Sequence, residues 1–191
     1  DLDTLSQKKH LYALGAFEGL QGEVQIFDGV SQSSRVKDSM VVIENEIEGS
    51  ASLLVYTQVE KWVENSSFFF ASKTDLDSLL MNEAKKVGLD TEKPFPFILE
   101  GKVSELQWHV INWNPKDPVH SHKKHQESGL NGVVKNENIR LLGFYSNKHK
   151  AIFTHHSSNI HMHFTSKDQS LAGHVDNLEI TDSITLKLPK L

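Results

Sequence analysis

One segment near the carboxyl end of the chain alternates strictly between apolar side chains and histidine. Residues 160–164 read Ile-His-Met-His-Phe. Successive side chains of a β-strand point to opposite faces of the sheet, so His161 and His163 share one face while the apolar residues share the other. Because the apolar face has to be buried against another layer, this segment must belong to a packed sheet. The imidazole face remains available for chemistry.

A third histidine lies in register with these two. The polar residues 167–170 predict a four-residue turn, and strands that fold back around it place His174 directly opposite His163. Directly opposed side chains have Cβ atoms roughly 5 Å apart, which lets imidazoles converge on one ion with Zn–N distances of about 2.0 to 2.1 Å. We therefore predict one zinc ion per chain on His161, His163 and His174, with an open fourth position as in catalytic sites. The competing interpretation is an exposed strand face without metal.

Composition narrows the chemistry that is open to the chain. Among its 191 residues there is no cysteine, which excludes disulfide scaffolds, thiolate zinc fingers, iron–sulfur clusters and cysteine nucleophiles. The formal net charge of −5 and the lack of a basic cluster argue against nucleic acid as a partner. No apolar run approaches the roughly 20 residues that span a bilayer, so we expect no membrane span. The compartment stays open between the cytoplasm and export with removal of a signal.

A second histidine cluster, at residues 118–125, competes for the metal. It contains histidines at positions 120, 122 and 125. Two lysines within the cluster would repel a cation, and the proline, glycine and asparagine around it predict a mobile loop rather than a rigid ligand set. We therefore favour His161, His163 and His174 as the ligands.

Most of the remaining pattern is typical of short strands. One helix is predicted over residues 74–87, where a variant capping box precedes apolar residues at helical spacing, and Gly88 ends it. Residues 112–134 show weak periodicity and are expected to form a long loop. Without a repeat or a composition step, the sequence predicts a single unit over residues 1–191, and a subdivision near residues 92–94 is left open. Strands are expected at residues 11–17, 23–27, 40–43, 51–56, 97–100, 103–111, 139–145, 151–155, 159–165, 173–175 and 184–188.

Several blocks of the sequence resemble a known family. Residues 159–168 and 172–175 resemble the zinc motif of α-acetolactate decarboxylases, roughly His-x-His-Phe-x-x-x-Asp and then Gly-Gly-His-Val. Residues 15–23, followed by Asp28 and Gly29, resemble that family's amino-terminal block, and the order of the elements between fits along nearly the whole chain. The resemblance implies an α+β, predominantly β fold. A mixed amino-terminal sheet carrying the main helix would be joined to a carboxyl-terminal antiparallel, barrel-like sheet that carries the three-histidine metal site.

The resemblance also implies a reaction. Enzymes of this family decarboxylate 2-acetolactate, a 2-hydroxy-3-keto acid, to acetoin and CO2 without an organic cofactor, and they are commonly homodimers. By position, the zinc ligands of the family fall on His161, His163 and His174. The family's glutamate after the Asp-Gly turn falls on Glu23, as an additional ligand or an acid/base. The zinc ion would stabilise the charge that develops as CO2 leaves.

The sequence also departs from the family pattern. The family's active-site arginine falls at His109, which we expect to contact the substrate without the fixed fork of a guanidinium. Gln21 stands where the family usually has an acidic residue, and the catalytic glutamate that follows the equivalent of Pro189 is not expected here. Two alternatives therefore stay open. One is a relative that only binds metal or a small carboxylate, and the other is a lyase or isomerase that uses zinc on another substrate.

Overall fold

Two β-sheets and one main helix make up the computed structural model of the chain, which describes residues 1–70, 73–150, 152–154 and 158–191. At residues 66, 67, 73, 74 and 122 it describes the backbone alone. The predominance of strands confirms the expected α+β, mainly β fold class. Within these residues, no helix is long and apolar enough to cross a membrane.

The first sheet is formed by the amino-terminal part of the chain. Its strands are β1 (Leu11–Phe17), β2 (Glu23–Phe27), β3 (Val30–Ser31), β4 (Ser33–Lys37), β5 (Met40–Glu44) and β6 (Ala51–Gln58), and short 3-10 helices cover Asp3–Leu5 and Glu18–Leu20. The order across the sheet is β5-β4-β2-β1-β6, with β3 paired to β2. All the pairings described are antiparallel, as expected where short turns join consecutive strands. The sheet is thus antiparallel rather than mixed.

The second sheet is formed mainly by the carboxyl-terminal part of the chain. Its elements are β7 (Trp62–Phe70), the main helix α1 (Lys73–Lys86), β8 (Phe95–Lys102), β9 (Glu105–Val110), the short helix α2 (His122–Glu127), β10 (Leu130–Lys135), β11 (Asn138–Tyr145), β12 (Ile160–Ser166) and β13 (Ala172–Pro189). The strand order is β10-β9-β13-β12-β11-β8. The first half of β13 pairs with β12 and β9, and its second half pairs with β8 and β7. The sheet therefore curves around β13 in a barrel-like way without forming a true barrel.

The main helix packs against the second sheet, not against the first as the resemblance implied. Its buried residues Leu76, Leu80 and Ala84 belong to the same core cluster as Phe97 of β8 and Leu186 of β13. Because β7, which directly precedes the helix, pairs with β13, the chain has already crossed to the second sheet when the helix begins. Its last residue, Lys86, lies one position before the expected end.

A separate apolar layer joins the two sheets. Tyr12, Leu14 and Phe27 of the first sheet pack with Leu142 and Phe144 of the second, and all five side chains are buried. Burying apolar surface between the sheets is the main source of stability for such a layered arrangement. The two sheets therefore present their facing residues to each other at fixed positions.

Two predictions need correction: the long loop over residues 112–134 and the strand over residues 151–155. Residues 112–134 include α2 and most of β10, which pairs with β9 from Leu130 opposite Val110 to Lys135 opposite Glu105. As an edge strand, β10 has only one partly buried face, which explains its weak sequence signal. Of the expected strand 151–155, the structure describes only residues 152–154, which form a turn and a single bridge residue.

The turn between β12 and β13 has the predicted register, with His163 directly opposite His174. Asp168 organises this turn. Its Oδ1 accepts hydrogen bonds from the Ser166 hydroxyl at 2.6 Å, from the Ser170 amide at 3.1 Å and from the Ser170 hydroxyl at 2.8 Å. Such hydrogen bonds from nearby backbone and side-chain groups are typical of an aspartate in a turn.

The first prediction concerns this turn. The Ser166 hydroxyl, followed by the amide and hydroxyl of Ser170, lowers the pKa of Asp168 to about 2. This folded-state pKa lies below the unfolded value of about 3.9. The ionised Asp168 carboxylate therefore stabilises the folded protein fully above about pH 3.9, and this stabilisation is lost as the pH falls toward 2. We expect Asp168→Ala to lower Tm at neutral pH and to lower it progressively less between about pH 4 and pH 2. Circular dichroism melts test this, with Asp182→Ala as the control for an exposed carboxylate; an equal Tm difference at every pH would contradict it.

Candidate metal centre

Three imidazoles converge where β12 and β13 meet. Nε2 of His161 lies 3.2 Å from Nδ1 of His174 and 3.2 Å from Nε2 of His163. One ligand atom from each ring lies within 4.8 Å of the others. Two nitrogens bound at about 2.0 to 2.1 Å to a tetrahedral zinc ion are roughly 3.3 Å apart, so this spacing fits a shared ion. Three nitrogen donors without sulfur are typical of catalytic zinc sites, which keep an open fourth position, and not of closed structural sites.

Strand geometry brings the rings together. His161 and His163 alternate with the buried residues Met162 and Phe164, so both imidazoles lie on one face, as the sequence predicted. Gly173 allows β9 to come close, because a Cβ at this position would lie 2.7 Å from the carbonyl oxygen of residue 109. A larger residue at position 173 would push β9 away from the three histidines.

Burial differs between the three rings. His163 is fully buried and His161 is 8% exposed, whereas the ring of His174 is partly exposed. Burial is the largest effect on the pKa of His163, which it lowers well below the usual value, and the neighbouring His161 and His109 act in the same direction. The lowered pKa keeps this imidazole neutral, which is the form that binds a metal ion. Because His174 is the partly exposed member of the group, the site is reached from its side.

Glu23 reaches this site from the first sheet. Its Oε1 accepts a hydrogen bond from the amide of Ile111 at 3.0 Å and lies 3.9 Å from Nε2 of His109. Its Oε2 lies 3.6 Å from Nε2 of His163. Burial raises the pKa of the Glu23 carboxyl to about 7, although His109 and the Ile111 amide act to lower it. The structure thus brings Glu23 and His109 together with the three histidines.

Asp176 is a site residue that the sequence reasoning missed. Its two carboxylate oxygens lie 3.0 and 2.9 Å from Nδ1 of His109, and both side chains are largely buried. On the other side, the ring of His109 packs against that of His174 with centroids 4.8 Å apart. Its only signal in the sequence was the position two residues after His174, and the register shift between Val175 and Asn177 makes this spacing an unreliable guide to the face of the strand.

Gln25 lies two residues after Glu23 and on the same face of β2. Its side chain is buried, and neither its amide nitrogen nor its amide oxygen has a hydrogen-bond partner among the described residues. Buried amides rarely remain without partners. Gln25 therefore adds a second buried polar side chain to the face of β2 that carries Glu23.

The second histidine cluster does not form a comparable site among the described side chains, which exclude that of residue 122. Nδ1 of His120 lies 3.0 Å from Nε2 of His125, and the two rings pack on Trp113. Two histidines are fewer than the three ligands expected of a zinc site. Gln21, the other departure from the family pattern, donates its side-chain amide to the carbonyl of Trp113 and so joins the first sheet to this segment.

Comparison with known proteins supports the resemblance seen in the sequence. The sequence model of the alpha-acetolactate decarboxylase family matches residues 8–191. A search of curated proteins gives no significant match.

Solved structures share the fold. An alpha-acetolactate decarboxylase from Bacillus subtilis strain 168 matches with a TM-score of 0.72 at 16% identity, covering 100% of this chain and 77% of that chain. A protein of unknown function similar to alpha-acetolactate decarboxylase, from Staphylococcus aureus, matches with a TM-score of 0.70 at 14% identity and the same coverage. Such low identities establish the fold alone. Because the family match extends over nearly all of the sequence, this chain belongs to the alpha-acetolactate decarboxylase family.

Proposed function

We propose that the chain is a zinc-dependent decarboxylase that converts 2-acetolactate, or a similar 2-hydroxy-3-keto acid, to acetoin or its analogue and CO2. The observation that carries this proposal is the convergence of three imidazoles and the buried Glu23 carboxyl, in a member of this family. The convergent imidazoles fit a metal-assisted reaction, and the carboxyl fits the proton transfer that decarboxylation requires.

His161, His163 and His174 would hold one zinc ion per chain. When bound there, zinc supplies positive charge that stabilises the negative charge developing on the substrate oxygens as CO2 leaves. The protein's own contribution is to keep the three rings in place. The full burial of His163 and the pairing of β12 with β13 hold the donors at their spacing without the ion.

Glu23 would deliver the proton that the reaction requires. In decarboxylation, the bond between the carboxylate and the adjacent carbon breaks, the electron pair stays with the substrate, and a proton is added to that carbon. The amide of Ile111 anchors one oxygen of Glu23, and the other oxygen faces His163 at 3.6 Å. Because the carboxyl is buried, bulk water competes poorly with it as the proton donor.

His109 is proposed to bind the oxygen atoms of the substrate. Its ring lies between the metal centre and Asp176, with Nε2 facing Glu23 at 3.9 Å. An imidazole in this place can hydrogen-bond a carboxylate or hydroxyl of the substrate, although without the bidentate grip of an arginine. A substrate bound to Nε2 of His109 would also lie beside Glu23.

A second candidate function is binding of a small carboxylate without turnover. One observation argues against turnover: both arginines of the chain are engaged elsewhere, so neither orients the substrate. Arg35 donates to the carbonyl of Gln21 at 2.6 Å, and Arg140 donates to Glu100 at 2.9 Å. The binding of a substrate carboxylate would therefore be left to the metal and to a hydrogen bond from His109. Formation of acetoin distinguishes the two functions.

By analogy with the family, we also propose a homodimer. Light scattering coupled to size exclusion would give twice the 21.6 kDa chain mass. A mass of one chain at micromolar concentration would contradict this assignment.

The metal assignment leads to the next prediction. Protein purified without a histidine tag should contain about one zinc per chain, and His174→Ala should lose most of it. His174 is the best choice because its partly exposed ring is the least needed for folding. The control is the double variant His120→Ala, His125→Ala, which should keep its zinc. Mass spectrometry of metals gives the stoichiometry; retention of zinc in His174→Ala, or its loss in the control, would show that the ligands are wrongly assigned.

The role of Glu23 leads to a further prediction. Glu23→Gln keeps the size of the side chain and an acceptor for the Ile111 amide but removes the acid. Acetoin formation from 2-acetolactate should fall roughly 10²- to 10⁴-fold, the usual range for loss of an acid/base group, while zinc content stays unchanged. Glu18→Gln, which changes an exposed carboxylate nearby, serves as the control. Full activity of the Glu23 variant would remove Glu23 from the mechanism.

A further inference from the structure

The contact between His109 and Asp176 is unusually well defined. Both carboxylate oxygens of Asp176 lie at hydrogen-bond distance from the same ring nitrogen, Nδ1, at 3.0 and 2.9 Å. The side chains are 6% and 11% exposed, respectively. A carboxylate buried to this degree has to be hydrogen-bonded or paired, because desolvation of an isolated charge is costly. His109 supplies that partner.

An irregularity of β13 gives Asp176 its place. The pairing of β13 with β9 shifts register between Val175, opposite Trp108, and Asn177, opposite Gln107. The shift is a β-bulge that leaves Asp176 outside the regular ladder, and bulges commonly redirect a side chain next to a functional site. Val175 remains in the apolar core on the other face of the strand.

From this geometry we infer that Asp176 is a positioning residue that fixes the orientation and tautomer of His109. The inference rests on the proposed function. A carboxylate only accepts hydrogen bonds, so Nδ1 of His109 must carry the hydrogen. The other nitrogen, Nε2, is then the one presented to Glu23, at 3.9 Å, and to a substrate beside it.

The His174 ring completes the restraint. It packs against His109 at a centroid distance of 4.8 Å and an interplanar angle of 47°. The ring of His109 is thus held on its Nδ1 edge by Asp176 and over one face by His174. Side chains whose rotamers are fixed by such neighbours hold a reacting group in place better than free ones. Asp176 therefore acts on the reaction through His109 without touching the substrate.

The test replaces the carboxylate by groups of similar size. In Asp176→Asn the amide can donate to Nδ1, which favours the opposite tautomer, so kcat for acetoin formation should fall about 10- to 100-fold, as is usual when a supporting partner of a site histidine is lost. Zinc content should not change. Asp176→Glu keeps an acceptor and should recover part of the loss. Glu179→Gln, an exposed carboxylate on the same strand, is the matched control and should leave kcat unchanged.

A second readout does not depend on activity. Nitrogen-15 spectra of histidine-labelled, zinc-loaded protein report which ring nitrogen carries the hydrogen, and His109→Asn identifies the signals of His109. The wild-type protein and Asp176→Glu should show hydrogen on Nδ1 of His109, and Asp176→Asn should lose this preference.

The outcomes separate the inference from the proposed function. If the wild-type protein forms no acetoin, the proposed function fails, while the spectra still decide whether Asp176 sets the tautomer. If Nδ1 of His109 carries no hydrogen in the wild-type protein, the inference is overturned. It is also overturned if Asp176→Asn changes the tautomer of His109 but leaves kcat intact in an active enzyme. If Asp176→Asn does not fold, the wild-type and Asp176→Glu spectra carry the same test.

Discussion

The register of the β12–β13 hairpin is the constraint on which the three-histidine group depends. A shift of one residue would turn His161 and His163 to the opposite face of the sheet and remove His174 from its place opposite His163. Two independent features hold the register. The buried residues on the other face of β12 fix which side faces the core, and the hydrogen bonds of Asp168 fix where the chain turns back.

The site is completed only when the two sheets pack together. The second sheet supplies the imidazoles and Asp176, whereas Glu23 comes from the first sheet and is anchored on the amide of Ile111 across the interface. The apolar layer between the sheets therefore sets the distance between the Glu23 carboxyl and the three imidazoles. Stability and chemistry are coupled here, since loosening this layer would move Glu23 away from His163 before the imidazoles themselves separate.

Sequence reasoning reached the parts of the structure that depend on local pattern. Period-two alternation and a four-residue turn were sufficient to predict the three-histidine group and its register. The layer against which the main helix packs depends instead on the long-range pairing of β7 with β13, which no local pattern specifies. Asp176 was missed because a bulge, invisible to strict alternation, places it against His109. Strand β10 was missed because an edge strand needs little apolar surface.

We propose that three imidazoles from two strands bind one zinc ion. X-ray absorption at the zinc edge, on protein purified without a histidine tag, reports the type, number and distance of the ligands and therefore tests this proposal. The expected spectrum shows three imidazole nitrogens at about 2.0 to 2.1 Å and further oxygen or nitrogen at the open position. A shell made of oxygen with one imidazole or none would rule out binding by three imidazoles, and so would protein that binds no zinc at all.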